Sequence, residues 1–236
     1  MSFPGTAPTL CLLPGLDGTG RLYRRLVEAL SADFDVRVID YPIDTLGGYD
    51  ELAKVVAAKL PVDRPYVLIA ESFAGPLSVL VASVQPKGLR GLVIAASFLQ
   101  QPVSNAKAFA RLLRYLPALI HPPVALLETV LIGGWKEATL REELESVLQD
   151  VPLPVLKSRL LAAMRVDARA VFRQVAVPVL YMRATRDRLL SLRVKHDFAS
   201  AEIVDIEAPH FVFQTVAPQA ARCIRRFISE KVISTG

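Results

Sequence analysis

Two hydrophobic patterns alternate along the chain. Short, largely apolar runs at residues 9–13, 35–41, 66–70, 91–95, 178–183 and 202–206 have the length and β-branched content of strands in a parallel sheet covered by helices. Between them the apolar positions recur every three or four residues, as Leu22, Leu26 and Leu30 after the first run and Leu52, Val55, Val56 and Leu60 after the second. That spacing predicts helices laying one face on a sheet. Such alternation implies crossover connections, so the pattern predicts an α/β fold with a mostly parallel sheet of about six strands flanked by helices. A last helix is predicted over 218–232, with Pro218 in its first turn and Ile224, Phe227 and Ile228 as its apolar stripe.

The alternation stops after Ser97. Residues 98–175 show helical periodicity, the proline pairs Pro122-Pro123 and Pro152-Leu153-Pro154, and no convincing strand. They read as an inserted helical cap with sub-helices over 105–116, 123–132, 136–149 and 154–165. The expected organisation is a core of residues 1–97 and 176–236 interrupted by this cap.

Candidate chemistry concentrates where strands end. The run Tyr66-Val-Leu-Ile-Ala-Glu-Ser-Phe-Ala-Gly-Pro is a strand that stops at Ser72 and passes directly into a helix reaching about Ser83. A sharp strand-to-helix turn needs small side chains two positions either side of its apex, because the backbones there nearly touch; Ala70 and Ala74 supply them. The pattern is Ala-x-Ser-x-Ala followed by Gly75, a departure from Gly-x-Ser-x-Gly. A helix-capping serine is the bland alternative. Ser97 also ends an apolar run, but the Phe-Leu-Gln-Gln-Pro that follows offers neither tight turn nor immediate helix.

A serine hydroxyl is a weak nucleophile and needs a base oriented by a carboxylate. Asp187 follows the fifth strand and His210 the sixth, so both are expected on loops at the carboxyl edge of the sheet with Ser72. Singly, each is as readily a turn or capping residue; together, in the order Ser, Asp, His, they suggest a triad. Asp205 is the fallback acid, while Asp40 is expected in a turn, and His121 and His196 as structural or surface residues. Backbone N–H groups aimed at a developing oxyanion are also required. The Leu12-Leu-Pro-Gly-Leu-Asp-Gly-Thr-Gly loop and the turn after Ser72 are placed to provide them, with Leu16 and Phe73 as the expected donors. Gly15, Gly18 and Gly20 do not have dinucleotide-binding spacing, and no Gly-Lys-Ser/Thr ending follows them.

With these residues in hand, the chain resembles the α/β-hydrolase superfamily over nearly its whole length. The resemblance implies Ser72 as nucleophile, Asp187 as acid, His210 as base and Pro14-Gly15-Leu16 as the oxyanion loop. Many members carry His-Gly where this chain has Pro14-Gly15, which leaves backbone donation intact but removes a side chain that often braces the loop. The loop also looks like that of lipid acyl esterases and acyltransferases related to plant phytyl ester synthases. The superfamily's first two strands are expected to be absent, since eight residues precede Thr9.

Composition narrows the remaining classes. A 52% apolar and 22% charged chain can bury a core and is not a disordered tract. The net charge of +5 is scattered, so no nucleic-acid partner is expected. Cys11 and Cys223 do not make a disulfide framework, no metal-ligand spacing occurs, and neither leader nor spanning run is evident; the expected address is the cytoplasm, without cofactor or stable membrane insertion. The expected activity is cleavage of a carboxylic ester or thioester with an apolar acyl group, through an acyl-enzyme. Acyl transfer by the same triad and a non-catalytic ligand-binding protein on the same fold are the alternatives. Phe109, Leu112, Leu116, Leu126, Leu127 and Trp135 would either line an acyl pocket or pack the cap. Arg111, Arg114, Arg159 and Arg165 would either meet an acidic carrier protein or lie on solvated helix faces.

Overall fold

The computed structural model describes residues 7–44, 46–102, 124–135 and 138–233. Its strands are β1 (Thr9–Leu13), β2 (Val36–Val38), β3 (Tyr66–Glu71), β4 (Leu89–Ala95), β5 (Val179–Ala184) and β6 (Glu202–Ile206). They form one sheet in the order β2-β1-β3-β4-β5-β6, every neighbouring pair parallel. This is the predicted sheet. β2 is shorter than its predicted run because its pairing with β1 ends at Val38, opposite Leu12. Beyond Val38 the Tyr41 N–H turns to the carbonyl of Gly18, 2.8 Å away.

The two-residue period of a strand sorts the core into two layers. Leu10 and Leu12 face one side, with Leu26 and Leu30 of α1 (Arg24–Leu30) and Ala221, Ile224 and Phe227 of α9 (Ala217–Phe227). Cys11 and Leu13 face the other, against Leu52 and Val56 of α2 (Tyr49–Lys59) and Leu77 and Val81 of α3 (Ala74–Ser83). Arg225 staples α9 to α1 by donating to Asp33 Oδ2 at 2.6 Å. The predicted last helix begins at Ala217, and its end, Ile228–Ile233, widens into a π-helix.

Three helices of the 98–175 segment are described: α4 (Val124–Leu131), α5 (Ala138–Asp150) and α6 (Leu153–Ala163). The predicted helix over 105–116 lies outside the described residues. The segment's two ends are tied together, with Gln101 N–H on the Val166 carbonyl at 3.1 Å and Ala168 N–H on the Leu99 carbonyl at 2.7 Å. One antiparallel bridge, Gln100 to Asp167, therefore sits where no strand was expected.

An ionic seam and an apolar seam join this segment to the core. Arg24 and Arg25 both reach Glu143, at 2.8 and 2.9 Å, while Arg21 reaches Ser146 at 2.6 Å and also pairs with Asp150. Leu22, Leu144 and Val147 bury together with Leu127 and Phe211 against them. Leu127 thus packs the segment in place and Trp135 is half-buried, whereas Phe109, Leu112, Leu116 and the side chain of Leu126 lie outside the described residues. After α6 come α7 (Arg169–Phe172) and, before the last helix, α8 (Val212–Thr215). Among the described residues no helix is long and apolar enough to cross a membrane.

Candidate active site

β3 is fully buried and ends in a turn so tight that Ser72 takes φ of +55°. A residue with a side chain adopts this left-handed conformation only when its surroundings enforce it. Here the Ser72 N–H is held by the Ala95 carbonyl at 3.0 Å, and its own carbonyl accepts from Gly75 N–H at 3.0 Å and from Ser97 Oγ at 2.5 Å. Ala70 and Ala74 are both wholly buried beside the turn. Gly75 is required as well, since a Cβ there would lie 1.9 Å from Ser97 Oγ.

The loops after β5 and β6 bring the other two residues to this apex. Asp187 Oδ1 accepts from the N–H groups of Leu189 and Leu190 at 2.7 and 3.0 Å, which fixes the carboxylate. Its Oδ2 lies 2.7 Å from His210 Nδ1, and His210 Nε2 lies 2.7 Å from Ser72 Oγ. With Asp187 ionised, both contacts are satisfied by an imidazole protonated on Nδ1, leaving Nε2 to accept from the Ser72 hydroxyl. His210 is 1% exposed, so water does not compete for either contact. The residue after it, Phe211, donates its N–H to the Leu131 carbonyl of α4 at 3.0 Å, pinning this loop to the inserted segment.

The directions of the two expected oxyanion donors follow from their peptide partners. All described peptides are trans, so an N–H points away from the carbonyl it is bonded to. The Gly15 carbonyl is turned inward to Gly18 N–H at 3.2 Å, which turns Leu16 N–H the other way. The Ser72 carbonyl is turned toward Gly75 and Ser97, which turns Phe73 N–H out of the elbow. Neither N–H has a hydrogen-bond partner among the described residues. Phe73 is further held by Tyr49, whose ring stacks on it at 4.8 Å and whose hydroxyl donates to its carbonyl at 3.0 Å.

Two residues important to this geometry were not expected at the site from the sequence patterns. Glu71, next to Ser72, is 2% exposed and accepts from Phe213 N–H at 3.0 Å and Gln214 Nε2 at 2.8 Å. Burial pushes its carboxyl up to about 7, opposed by those hydrogen bonds and by the nearby His210. An acidic residue inside an otherwise apolar run was its only signal. The second is Arg159 of α6, expected on a surface facing solvent or an acidic partner. It is instead wholly buried, donating to the carbonyls of Leu16 and Asp17 at 3.0 and 2.6 Å and of Pro42 at 2.8 Å. It cannot contribute to a docking face; Arg165 is exposed, and Arg111 and Arg114 lie outside the described residues.

The rival residues have other partners. Ser97 serves the elbow as a donor, Asp205 pairs with Arg183, and Asp40 pairs with Lys59 at 2.6 Å. His196 lies on the 3-10 turn Leu192–Phe198, and His121 lies outside the described residues. Burial raises the Cys11 thiol to about 12, which leaves it an unreactive packing residue.

No protein-family model and no curated protein matches the chain. Solved structures do. A hydrolase from Oleispira antarctica superposes with a TM-score of 0.81 at 15% identity, covering 98% of this chain and 93% of its own. The enol-lactonase from Burkholderia xenovorans gives 0.80 at 17% identity, covering 97% and 95%. A thermophilic esterase from Thermogutta terrifontis gives 0.76 at 17% identity, covering 95% and 90%. The parallel sheet, its flanking helices and this likeness together show that the chain has the α/β-hydrolase fold.

Proposed function

We propose that the chain is a serine hydrolase acting on a carboxylic ester or thioester. The observation that carries this reading is the pair of 2.7 Å contacts linking Ser72 Oγ to His210 Nε2 and His210 Nδ1 to Asp187 Oδ2. Ser72 Oγ attacks the acyl carbon while its proton passes to Nε2, and the carbonyl oxygen, now negative, is received by the N–H groups of Leu16 and Phe73. Collapse breaks the bond to the leaving alkoxide or thiolate, which takes the proton from Nε2. Water then attacks the acyl-enzyme, giving its proton to Nε2, and the carboxylic acid leaves as Ser72 recovers its hydrogen.

Asp187 orients the imidazole and stabilises it when charged. The 98–175 segment, seated on Phe211 and Leu22, is the roof of the acyl site in this reading, and the substrate is a small acyl ester or thioester. The likeness to a hydrolase, an enol-lactonase and an esterase supports this choice of chemistry. The test is a p-nitrophenyl ester series with fluorophosphonate labelling. Wild type should turn over and be labelled on Ser72, and Ser72→Ala should lose several orders of magnitude in rate. Turnover by Ser72→Ala at near the parental rate refutes the assignment, and an unlabelled, inactive wild type favours a binding protein instead.

A further inference from the structure

The loop that carries Leu16 has proline where a histidine would commonly brace it, yet it is not unsupported. Arg159 reaches it from the inserted segment, with Nη1 on the carbonyls of Leu16 and Asp17 and Nη2 on that of Pro42. The guanidinium lies over the Tyr41 ring, 5.5 Å from its centre, and Tyr41 in turn donates its hydroxyl to the Pro14 carbonyl at 2.9 Å. Among the described residues no carboxylate pairs with Arg159, and its Nε has no partner. A buried cation held by carbonyl dipoles and a ring face, with the Asp17 carboxylate near but not paired, is an expensive way to fill space. Its three donated bonds all converge on two loops that meet at the carboxyl edge of the sheet.

We propose that Arg159 is the positioning residue of the oxyanion site, setting the Leu16 N–H from the inserted segment and thereby coupling the seating of α6 to transition-state stabilisation. The inference rests on the serine-hydrolase reading above. Gly18 N–H holds the Gly15 carbonyl, whose peptide carries the Leu16 N–H, and Arg159 holds the two peptides that follow, so Leu16 is fixed on both sides of its Cα. A helix-borne brace also means that α6 cannot move away without releasing the loop.

The experiment compares wild type with Arg159→Met and Arg159→Lys. It reads kcat and KM on a short p-nitrophenyl ester, the inhibition constant of a trifluoromethyl ketone of matching acyl length, and the cooperativity of thermal unfolding. Loss of a well-placed oxyanion donor costs about 100- to 1,000-fold in kcat, so a misplaced one should cost about 10- to 100-fold in Arg159→Met. KM should stay within about threefold, and the ketone should weaken by the same factor as kcat. Arg159→Lys, one point charge serving three carbonyls, should fall between. A merely structural arginine would lower the melting temperature without this split. A folded Arg159→Met with kcat within about twofold of wild type, or with unchanged ketone affinity, overturns the inference; if that variant does not fold, Arg159→Lys is judged by the same criteria. Failure of wild type itself to label with fluorophosphonate overturns the hydrolase reading and this inference with it.

Discussion

Replacing Glu71 by glutamine isolates the energetic effect of a carboxylate buried one residue from the nucleophile. In the unfolded chain the group has its ordinary value of 4.5, and in the fold burial lifts it to about 7. The folded state therefore prefers the protonated acid. That rise from 4.5 to about 7 corresponds to about 3–4 kcal/mol of stability, fully present below pH 4.5 and lost as the pH rises from there through about 7. The charged and titratable groups facing Glu71 are His210 and, from the turn before α1, Tyr23. Glutamine keeps the size and can still accept from Phe213 N–H. Gln214 Nε2 now faces Glu71 Oε2, so the Gln214 amide must turn over to present its Oε1, which has no partner among the described residues, to the new amide donor. Urea unfolding of both proteins from pH 4.5 to 8.5 should give a difference curve in which Glu71→Gln gains steadily on wild type, reaching about 3–4 kcal/mol at the alkaline end. Parallel curves would refute the claim that Glu71 titrates at a cost to the fold.

Three further perturbations probe other links. Asp187→Asn should fold normally and lower kcat by about 10,000-fold, because the amide no longer selects the imidazole tautomer; a loss below tenfold in steady-state assays would argue against Asp187 as the orienting acid. Gly75→Ala gains about 1 kcal/mol of helix propensity but forces a Cβ to within 1.9 Å of Ser97 Oγ, where overpacking costs about 1–3 kcal/mol. Ser97 is anchored through its carbonyl to Tyr181 as well, so the clash should win, and denaturant midpoint and kcat should both fall. Glu143→Ala removes the shared partner of Arg24 and Arg25 and should cost about 1 kcal/mol or less in dilute buffer, a difference that should vanish in 1 M salt, as unfolding curves in both media would show.

The inner strands β1, β3 and β4 were legible because strands buried on both faces are short apolar runs, and the edge strands β2 and β6, each carrying charged residues, because β-branched residues recur at helix-to-helix spacing. β1 and β6 fall on their predicted residues, while the run containing β2 overshoots because hydrophobicity reports burial and not pairing: Ile39 and Tyr41 are buried beyond the strand's end. The candidate triad was legible for a related reason. In a parallel sheet every strand delivers its following loop to the same edge, so three polar residues after three strands converge without any local contact in sequence. Arg159 and Glu71 were not legible. An arginine in an amphipathic helix has the same pattern whether it faces solvent or a cluster of carbonyls, and only tertiary structure says which.

The left-handed torsion at Ser72 has a cost for the whole molecule. Glycine alone would sit there at ease, so the presence of a hydroxyl-bearing side chain keeps the backbone under tension worth about 1–3 kcal/mol, a noticeable slice of a typical domain's stability. The reserve that absorbs it is supplied next door, by a strand without a single exposed residue and by alanines small enough to let the chain double back. Under the serine-hydrolase proposal, robustness and reactivity pull in opposite directions at a single residue, and a glycine there would trade the proposed nucleophile for a backbone at rest.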